Sequence, residues 1–222
     1  MGMLIRADLH VHSLHSDGRA SPAEIVYASI ERGINAVAIA DHDTFAGSIV
    51  ARKLSVGNNL LVVPSAEVRT DRGDVLLYCD EEVDFPKRLD LLIDKAKEES
   101  CLIVPAHPFD IARLGLGDAI FEYEDWSAIE IWNSSSTKGA NYRAIKASKL
   151  LGKPGIANSD AHILAEIATA YTVIEVEELS VSSVLDAIRR GKVKPVFGGR
   201  PLTTLLDRIS WSLERSVKKA LK

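Results

Sequence analysis

Six histidines occur in this chain, and five of them lie where a predicted strand ends, each within two residues of an acid, another histidine or a proline. They are His10, His12, His42, His107 and His162, in the segments ADLHVHS, IADHDT, VPAHPF and ANSDAH. No secondary-structure propensity of histidine explains why it should recur at the ends of Val/Ile/Ala-rich segments. Imidazole is, however, a common metal ligand. We therefore expect several strands to deliver ligands to one metal-binding pocket.

The spacing within these segments supports the same prediction. His10 and His12 are two residues apart at a strand end, so their side chains leave the strand on the same side. Asp160 and His162 repeat this spacing near the other end of the chain. Either pair alone is a weak signal. Three further segments carry acids or histidines at strand ends: DHD at 41–43, AE at 66–67 and HP at 107–108. The combination is far more specific for a metal centre than any single pair.

Each of these residues also has an ordinary structural explanation. His42 could be a buried or helix-capping histidine satisfied by Asp41 and Asp43, and Glu67 could be a buried carboxylate paired with Arg69. Together, however, such explanations would leave many charges converging on one face without a cation, which is electrostatically costly. Bound metal ions remove that cost. Asp41 and Asp43 are then expected to orient the metal-binding imidazoles.

Strand-like and helix-like segments alternate along the chain, which predicts βαβ units and a parallel sheet. The predicted strands are Leu4–Leu9, Ala36–Ala40, Leu60–Ser65, Leu102–Ala106, Ala128–Trp132, Pro154–Asn158 and Tyr171–Val176. The predicted helices are Ser21–Arg32, Thr44–Leu54, Pro86–Glu99, Ala140–Leu151, Val181–Arg190 and Thr203–Leu221. A spare strand, Asp74–Cys79, is expected to pair with the third strand through the turn at 71–73. Polar residues at nearly every strand exit favour a (β/α) barrel over an open doubly wound sheet.

The segments DLHVHS, SDG, IADHD, SAE, AHP, EIWN and NSDAH, in this order, resemble the PHP (polymerase and histidinol phosphatase) family of metal-dependent phosphoesterases. The resemblance spans about Leu4 to Gly199. It implies an α/β fold, a distorted (β/α)7 barrel of the PHP type, over residues 1–200. Residues 201–222 are expected to form a C-terminal amphipathic helix packed on the barrel within the same domain. The resemblance further implies two to three divalent metal ions per chain, Zn, Mn or Fe, at the C-terminal face of the barrel.

The ligand set follows from the same resemblance. One metal is expected to be held by His10, His12, Glu67 and Asp160. Glu67 is expected to bridge to a second metal, which His107 also binds. Asp17, His42 and His162 are expected to hold a third. Glu67, Asp160 and His107 are the predicted catalytic residues.

One position departs from the family pattern. Many members have a histidine on the spare strand, in a segment resembling HxLxY, and this chain has Asp74 there, in DVLLY. Asp74 is therefore a possible metal ligand, and a carboxylate in place of an imidazole favours harder metals such as Mn²⁺ or Fe²⁺. His15 falls in a stretch that the family leaves variable and is expected at the surface or the pocket rim.

The substrate contacts are predicted from position along the chain. Arg69, just past Glu67, and Asn133, at the end of EIWN, are the expected substrate-binding residues; Lys138, Arg143 and Arg200 are weaker candidates. Glu130 could be structural, a ligand or a substrate contact.

Composition limits the class of protein. The 222 residues carry a net charge of −4, which argues against a general nucleic-acid-coating protein. No segment has the form of a signal peptide or approaches ~18 consecutive apolar residues, so we expect a cytoplasmic protein with no membrane contact. Two cysteines are consistent with reduced thiols in that compartment. The last helix has an apolar face that we expect to dock on the barrel and an opposite face with Trp211 among cations, where a homo-oligomer contact is possible.

These observations predict a metal-dependent phosphoric ester hydrolase that acts on phosphomonoesters of a small phosphorylated substrate, a nucleotide or short oligonucleotide. Metal-activated hydroxide is the expected nucleophile, because no serine or cysteine lies in a nucleophile motif such as GxSxG. Two alternatives remain open. One is histidinol-phosphate phosphatase activity; the other, not enzymatic, is a PHP-like scaffold subunit of a nucleic-acid-processing assembly.

Overall fold

The computed structural model describes residues 2–200 and 202–220, which within these limits form ten strands and six α-helices. The strands are β1 (Met3–Val11), β2 (Ala36–Ile39), β3 (Leu61–Val62), β4 (Ser65–Arg69), β5 (Asp74–Tyr78), β6 (Leu102–Pro105), β7 (Ile129–Asn133), β8 (Gly155–Asn158), β9 (Tyr171–Val176) and β10 (Val193–Val196). The α-helices are α1 (Pro22–Glu31), α2 (Ala46–Leu54), α3 (Leu89–Glu98), α4 (Lys138–Leu151), α5 (Val181–Arg189) and α6 (Leu205–Ala220). The chain thus has the predicted mixed α/β fold.

Backbone pairing divides the strands into three sheets, ordered β10-β9-β1-β2-β3, β4-β5-β6 and β7-β8. The pairs β1–β2, β2–β3 and β7–β8 are parallel, and the other pairs are antiparallel. The predicted parallel pairing is therefore present in part, and antiparallel pairs join the remaining strands. The short turn at 70–73 allows only a hairpin, because a parallel crossover needs a dozen or more residues. The spare strand does pair through that turn, but with β4, which begins where the predicted third strand ends.

Both faces of the strands are buried, as the apolar sequence runs predict. Ala36 and Ala38 on β2 belong to a core cluster that contains residues from β1, β5, β6, β8 and β9, and so from all three sheets. Val37 and Ile39 point the other way and pack with α1 residues in a second cluster. This alternation follows from the two-residue period of a strand. The three sheets therefore share one interior, with helices covering their outer faces.

Two helices have ends that their local sequence explains. The Ser21 hydroxyl accepts the Glu24 N–H at 3.3 Å, and the Glu24 carboxylate accepts the Ser21 N–H at 2.8 Å, which completes the capping box of α1. Gly152 ends α4 in the left-handed conformation, with a φ of 63°. In the part of the chain that is described, no helix is both long and apolar enough to cross a lipid bilayer.

The segment that leads from β10 to the last helix packs against Trp132 of β7 and against Thr169. The Trp132 ring stacks on Phe197 with centroids 4.5 Å apart, and its Nε1–H donates to the Gly198 carbonyl at 2.6 Å. A Cβ atom at residue 198 would lie 1.7 Å from the Thr169 carbonyl oxygen, so only glycine allows this approach. The start of α6 is thereby placed beside the loops that follow β8.

Helix α6 presents to the fold the face opposite to the one predicted. Trp211 is only 6% exposed, whereas Leu206 and Leu213 are 77% and 63% exposed. Polar acceptors beneath the helix explain this orientation, because they bond to Trp211 and to Arg208 and offer nothing to leucine. The side chains of Leu205, Arg215, Val217, Lys218 and Ala220, and all of Lys222, lie outside the described residues. The domain boundary at 200/201 and a homo-oligomer contact through this helix stay predictions.

Cys79 and Cys101 form a disulfide, with Cα atoms 4.4 Å apart. Tyr78 pairs with Leu102 in the antiparallel β5–β6 ladder, so the next positions outward are the two cysteines, directly opposite each other. Both are buried. The structure therefore contains a disulfide where the sequence predicted two reduced thiols.

Reduction of this disulfide should destabilise the fold by about 3 kcal/mol, because it closes a loop of 22 residues whose entropy it restricts in the unfolded chain. Urea unfolding of the protein with and without reductant would measure the difference. The Cys79→Ala/Cys101→Ala variant is the control and should not respond to reductant. Identical unfolding midpoints for the oxidised and reduced wild-type protein would contradict the expectation.

Candidate metal centre

The structure brings the eight predicted ligand side chains together at one end of the three sheets. Seven of them come from the end of a strand or from the loop that follows one, and Glu67 is the central residue of β4. These residues are His10, His12, Asp17, His42, Glu67, His107, Asp160 and His162. Their nitrogen and oxygen atoms fall into four overlapping groups, and within each group the ligand atoms lie within 4.8 Å of one another.

The first group surrounds the Asp17 carboxylate. Asp17 Oδ1 lies 3.2 Å from His162 Nε2, 3.6 Å from His42 Nε2 and 3.7 Å from His12 Nδ1. Burial would raise the pKa of Asp17, but His162 and the other two imidazoles lower it far below its usual value. The group therefore offers one carboxylate and three imidazoles, a donor set typical of Zn²⁺ and other first-row metals.

The second group is organised by Glu67, which is 1% exposed. Its Oε2 lies 3.4 Å from His10 Nε2, 3.3 Å from His12 Nε2 and 3.1 Å from His42 Nδ1. Its Oε1 lies 3.0 Å from His107 Nε2. One carboxylate thus contacts four imidazoles, and its two oxygens face different sets of them, as a bridging ligand requires.

The other two groups share members with the first two. One consists of His10, His107 and Asp160, and the other of His42, Glu67 and Asp74. Asp74 is almost fully buried, and burial together with the nearby Glu67 charge raises its pKa to about 6. The aspartate that replaces the family's histidine therefore lies where it could bind a metal.

Buried polar atoms indicate that a divalent cation fits this pocket. Among the described residues, His12 Nδ1, His42 Nδ1 and Asp160 Oδ1 are buried and have no hydrogen-bond partner. A buried polar atom left without a partner is costly, and native structures rarely keep several in one place. All three are lone-pair donors of the kind that first-row metals bind.

The charges of the pocket are balanced between carboxylates and imidazoles. Burial would raise the pKa of Asp160, but the charges of Arg113 and His10 hold it well below its usual value. Burial would lower the pKa of His10, but Asp160 and Glu67 raise it well above its usual value. The His10 imidazole and the Asp160 carboxylate therefore each favour the charged form of the other, and a bound cation would replace the positive charge that His10 supplies.

Three residues of the site have a positive φ although none is glycine: Asp43 (58°), His107 (31°) and Asp160 (53°). Such conformations cost free energy and persist only where the surroundings impose them. The His107 N–H donates to the Glu130 carboxylate at 2.6 Å, and the Asp43 N–H donates to the Glu67 carbonyl at 2.9 Å. The conformations of His107 and Asp43 are thus held by hydrogen bonds from their own N–H groups to Glu130 and Glu67.

Glu130 is the residue that connects the strand ends. Its Oε1 accepts hydrogen bonds from His10 Nδ1 (3.0 Å) and Asn158 Nδ2 (2.8 Å), and its Oε2 accepts from the His107 N–H (2.6 Å) and Asn133 Nδ2 (3.1 Å). These four donors belong to β1, β8, β7 and the loop after β6. Because Nδ1 of His10 donates to Glu130, its Nε2 lone pair is left for a metal. Of the three roles open from the sequence, Glu130 has the structural one.

Asn133 and Arg113 both contact Asp160. Asn133 is fully buried, and its Nδ2 donates to Asp160 Oδ2 at 2.9 Å as well as to Glu130. The structure therefore places Asn133 beneath the ligands rather than at the rim where a substrate contact was expected. Arg113 pairs with the Asp160 carboxylate, and its side chain is 25% exposed. Arg113 was not predicted as a site residue, because no motif in DIARLG marks it.

Asp41 and Asp43 hold loops rather than imidazoles, so the prediction that they orient metal ligands is wrong. Asp41 accepts hydrogen bonds from the Ser13 N–H (2.7 Å) and the Ser13 hydroxyl (2.6 Å). Asp43 accepts from the Arg69 N–H (3.0 Å) and from Lys87 Nζ (2.7 Å). Their short side chains accept hydrogen bonds from these neighbouring backbone and side-chain donors. Glu67 and Asp17 contact the imidazoles instead.

The remaining predicted contacts lie in different places. Arg69 is half-exposed at the end of β4, with Nε 3.5 Å from Asp74 Oδ1. Arg143 pairs with Asp118 at 3.0 Å. His15 is exposed and belongs to none of the four groups of possible ligands found in the described residues.

Replacing Glu130 with glutamine should weaken divalent metal binding by about 10- to 100-fold, the usual effect of losing a residue that orients ligands. Glutamine has one acceptor oxygen in place of two, so its NH₂ group would face donors from which Glu130 now accepts hydrogen bonds. Titration of the chelator-treated protein with Mn²⁺ would measure the dissociation constants. Glu178→Gln is the matched control, since Glu178 is exposed and follows Val176, which pairs with Met3 at the far end of β1. Equal affinities of Glu130→Gln and wild type would contradict this role.

Comparisons with known proteins agree with this geometry. Residues 8–101 match the family model described as PHP domain, and residues 138–193 match the one described as PHP-associated. An uncharacterized protein of Methanocaldococcus jannaschii is 32% identical over 149 residues, which are 61% of this chain and 85% of that protein. A 5'-3' exoribonuclease of Haemophilus influenzae is 33% identical over 93 residues, 40% of this chain and 34% of the nuclease. The chain thus spans about a third of that enzyme.

Solved structures show the same fold at low identity. A two-domain protein from Bacteroides vulgatus, described as containing a predicted PHP-like metal-dependent phosphoesterase, superposes with a TM-score of 0.73 at 17% identity, covering 89% of this chain and 66% of that one. A lesion-specific endonuclease from Pyrococcus furiosus superposes with a TM-score of 0.62 at 20% identity, covering 87% and 58%. Sequence, fold and ligand geometry agree: the chain belongs to the PHP family, and its phosphoesterase and nuclease relatives support a metal-dependent hydrolase.

Proposed function

We propose that this chain is a metal-dependent phosphoesterase that hydrolyses phosphomonoesters of nucleotides or short oligonucleotides. The observation that carries the proposal is the convergence of eight imidazole and carboxylate ligands into overlapping groups. Overlapping groups can hold two to three ions near one another. Such ions, when bound, lower the pKa of water and neutralise the charge of a phosphoryl group.

The residues would divide the work by position. Glu67 faces imidazoles on both oxygens and would bridge two ions, while His107 and Asp160 would complete the sites on either side of His10. We propose Glu67, His107 and Asp160 as the catalytic residues. The complete proposed ligand set is His10, His12, Asp17, His42, Glu67, His107, Asp160 and His162, with Asp74 as a further ligand.

Two arginines supply positive charge for the phosphate. Arg69 lies beside Asp74 at the end of β4, and Arg113 lies against Asp160 on the other side of the groups. Arginine is suited to phosphate because its guanidinium can make two parallel hydrogen bonds. We propose both as substrate-binding residues. Asn133 would act on the substrate only through Asp160, which its amide positions.

The nucleotide substrate is supported by the partial similarity to a 5'-3' exoribonuclease, although that similarity covers only 40% of this chain. Histidinol phosphate remains the alternative substrate within the same chemistry. A scaffold without activity would not need its ligands, and here all eight are present in contact with one another.

For the architecture we propose the distorted (β/α)7 barrel. An isolated bridge between His42 and Glu67 links the β2 end to β4, and the Tyr78 hydroxyl of β5 donates to the Leu9 carbonyl of β1 at 2.8 Å. The Thr172 hydroxyl of β9 bonds to the backbone of Ala157 in β8. Such links between the sheets support a closed arrangement.

The purified protein should contain two to three divalent ions per chain and should hydrolyse a nucleotide phosphomonoester fastest with Mn²⁺ or Zn²⁺ added. Elemental analysis would give the metal content. A parallel assay of mononucleotides, 3',5'-bisphosphates, 5'-phosphorylated oligonucleotides and histidinol phosphate would rank the substrates. Preference for histidinol phosphate would favour the alternative enzyme, and inertness of the metal-loaded protein toward all four would favour the scaffold.

Glu67→Ala and Asp160→Asn should each lower phosphatase activity by at least about 100-fold, since loss of a ligand should cost no less than loss of a residue that orients one. Circular dichroism should remain that of the wild type, because both side chains line the pocket rather than the apolar core. The exposed Glu178→Ala is the control. Activity within tenfold of wild type in both ligand variants would rule out these roles.

A further inference from the structure

Helix α6 lies across the two loops that carry Asp17 and His162. Both matched family segments end by residue 193, so the helix lies outside them. The Trp211 indole is almost fully buried and its Nε1–H donates to the Asp17 main-chain carbonyl at 3.0 Å. A side chain of α6 therefore holds the backbone of a proposed ligand directly.

A second contact reaches His162 through Glu166. The fully buried Glu166 accepts the His162 N–H on Oε2 at 2.9 Å, and the same oxygen accepts Nη1 of Arg208 in α6 at 2.6 Å. Arg200 Nε lies 3.2 Å from the other oxygen. A buried carboxylate is tolerated when cations pair with it, so Arg208 and Arg200 keep Glu166 in the position from which it fixes His162.

A third contact is weaker. The Arg19 N–H donates to the His162 carbonyl at 2.8 Å, and its guanidinium pairs with Glu214 of α6 at 2.9 Å. That pair is exposed, so it contributes little by itself.

These contacts reach the backbone of two proposed ligands, Asp17 and His162, and His162 Nδ1 in turn lies 3.4 Å from Asp160 Oδ1. Among the groups formed by the described residues, Asp17 and His162 occur in a single one, with Oδ1 and Nε2 3.2 Å apart, whereas His12 and His42 also belong to others. In the other groups, Glu130 accepts hydrogen bonds from His10 and His107, and Asn133 donates one to Asp160, so these three ligands are held by residues outside α6.

We propose that α6 is a brace for the metal site formed by His12, Asp17, His42 and His162. Trp211, Arg208 and Glu166 are its positioning residues. Metal affinity at this site depends on the docked helix, and affinity at the other sites does not. The proposal rests on the proposed function in one respect, that these groups bind divalent ions.

The brace differs in its consequence from a helix that merely stabilises the fold. General stabilisation would leave all metal sites of the folded protein equally tight once the helix contacts were weakened. A brace that fixes the Asp17 backbone and the His162 N–H sets the distance between two ligands of one site. Loss of the brace should lower the affinity of this one site for its ion by about 10- to 100-fold, the usual effect of misplaced ligands.

The test is a Mn²⁺ titration of the full, chelator-treated chain. Calorimetry and the electron paramagnetic resonance signal of free Mn²⁺ both measure the binding. The variants are Trp211→Phe, which removes the N–H and keeps an aromatic ring, and Arg208→Ala. Leu206→Ala and Leu213→Ala, on the exposed face of the same helix, are the matched controls. Thermal unfolding of each metal-free variant checks that the fold is retained.

In Trp211→Phe and Arg208→Ala, the dissociation constant of one class of bound Mn²⁺ should rise at least tenfold, and those of the other ions should stay the same. Both control variants should bind every ion as the wild type does. Unchanged binding of every ion, or equal weakening of all of them, would overturn the brace while leaving the proposed function intact. A wild-type protein that binds no Mn²⁺ at all would overturn both.

Discussion

The buried charge at the strand ends is the constraint on which the rest of this structure depends. His10, Glu67 and Asp160 are all buried, and His10 Nε2 lies 3.4 Å from Glu67 Oε2 and 3.8 Å from Asp160 Oδ1, where an uncompensated charge is expensive. Without metal, carboxylates and protonated imidazoles compensate each other, as the opposite shifts in the pKa values of His10 and Asp160 indicate. A bound cation would supply the positive charge that those protons now supply.

Holding such a pocket together requires a second layer of polar residues that contact the ligands and not the metal. Glu130 joins four strand ends through one carboxylate, and Glu166 joins the His162 loop to Arg208 of the last helix. Each is buried, and each accepts a main-chain N–H of a ligand residue, His107 or His162. Carboxylates in this layer fix backbone and side chain together. The bond from Glu130 explains how His107 can retain a backbone conformation that other residues avoid.

The sequence predicts what depends on local spacing. The two-residue period that brings His10 and His12 to the same side of β1, and the capping box of Ser21 and Glu24, both follow from patterns within a few residues. The convergence of the ligands is predictable too, because several strand ends carry the same residue types. Local spacing does not determine which segments meet across the fold. The Cys79–Cys101 disulfide and the Arg113–Asp160 pair therefore went unseen, and α6 was predicted with the wrong face inward.

Asp74 shows how one substitution changes the demands of such a pocket. A histidine there would add a neutral donor, whereas Asp74 adds a carboxylate next to Glu67, and burial beside that charge raises its pKa to about 6. The half-exposed Arg69 lies 3.5 Å from it and can pair with it. The added negative charge is therefore incompletely compensated by the protein itself. Because a carboxylate is also a harder donor than imidazole, the exchange favours a hard divalent cation at the group that contains Asp74.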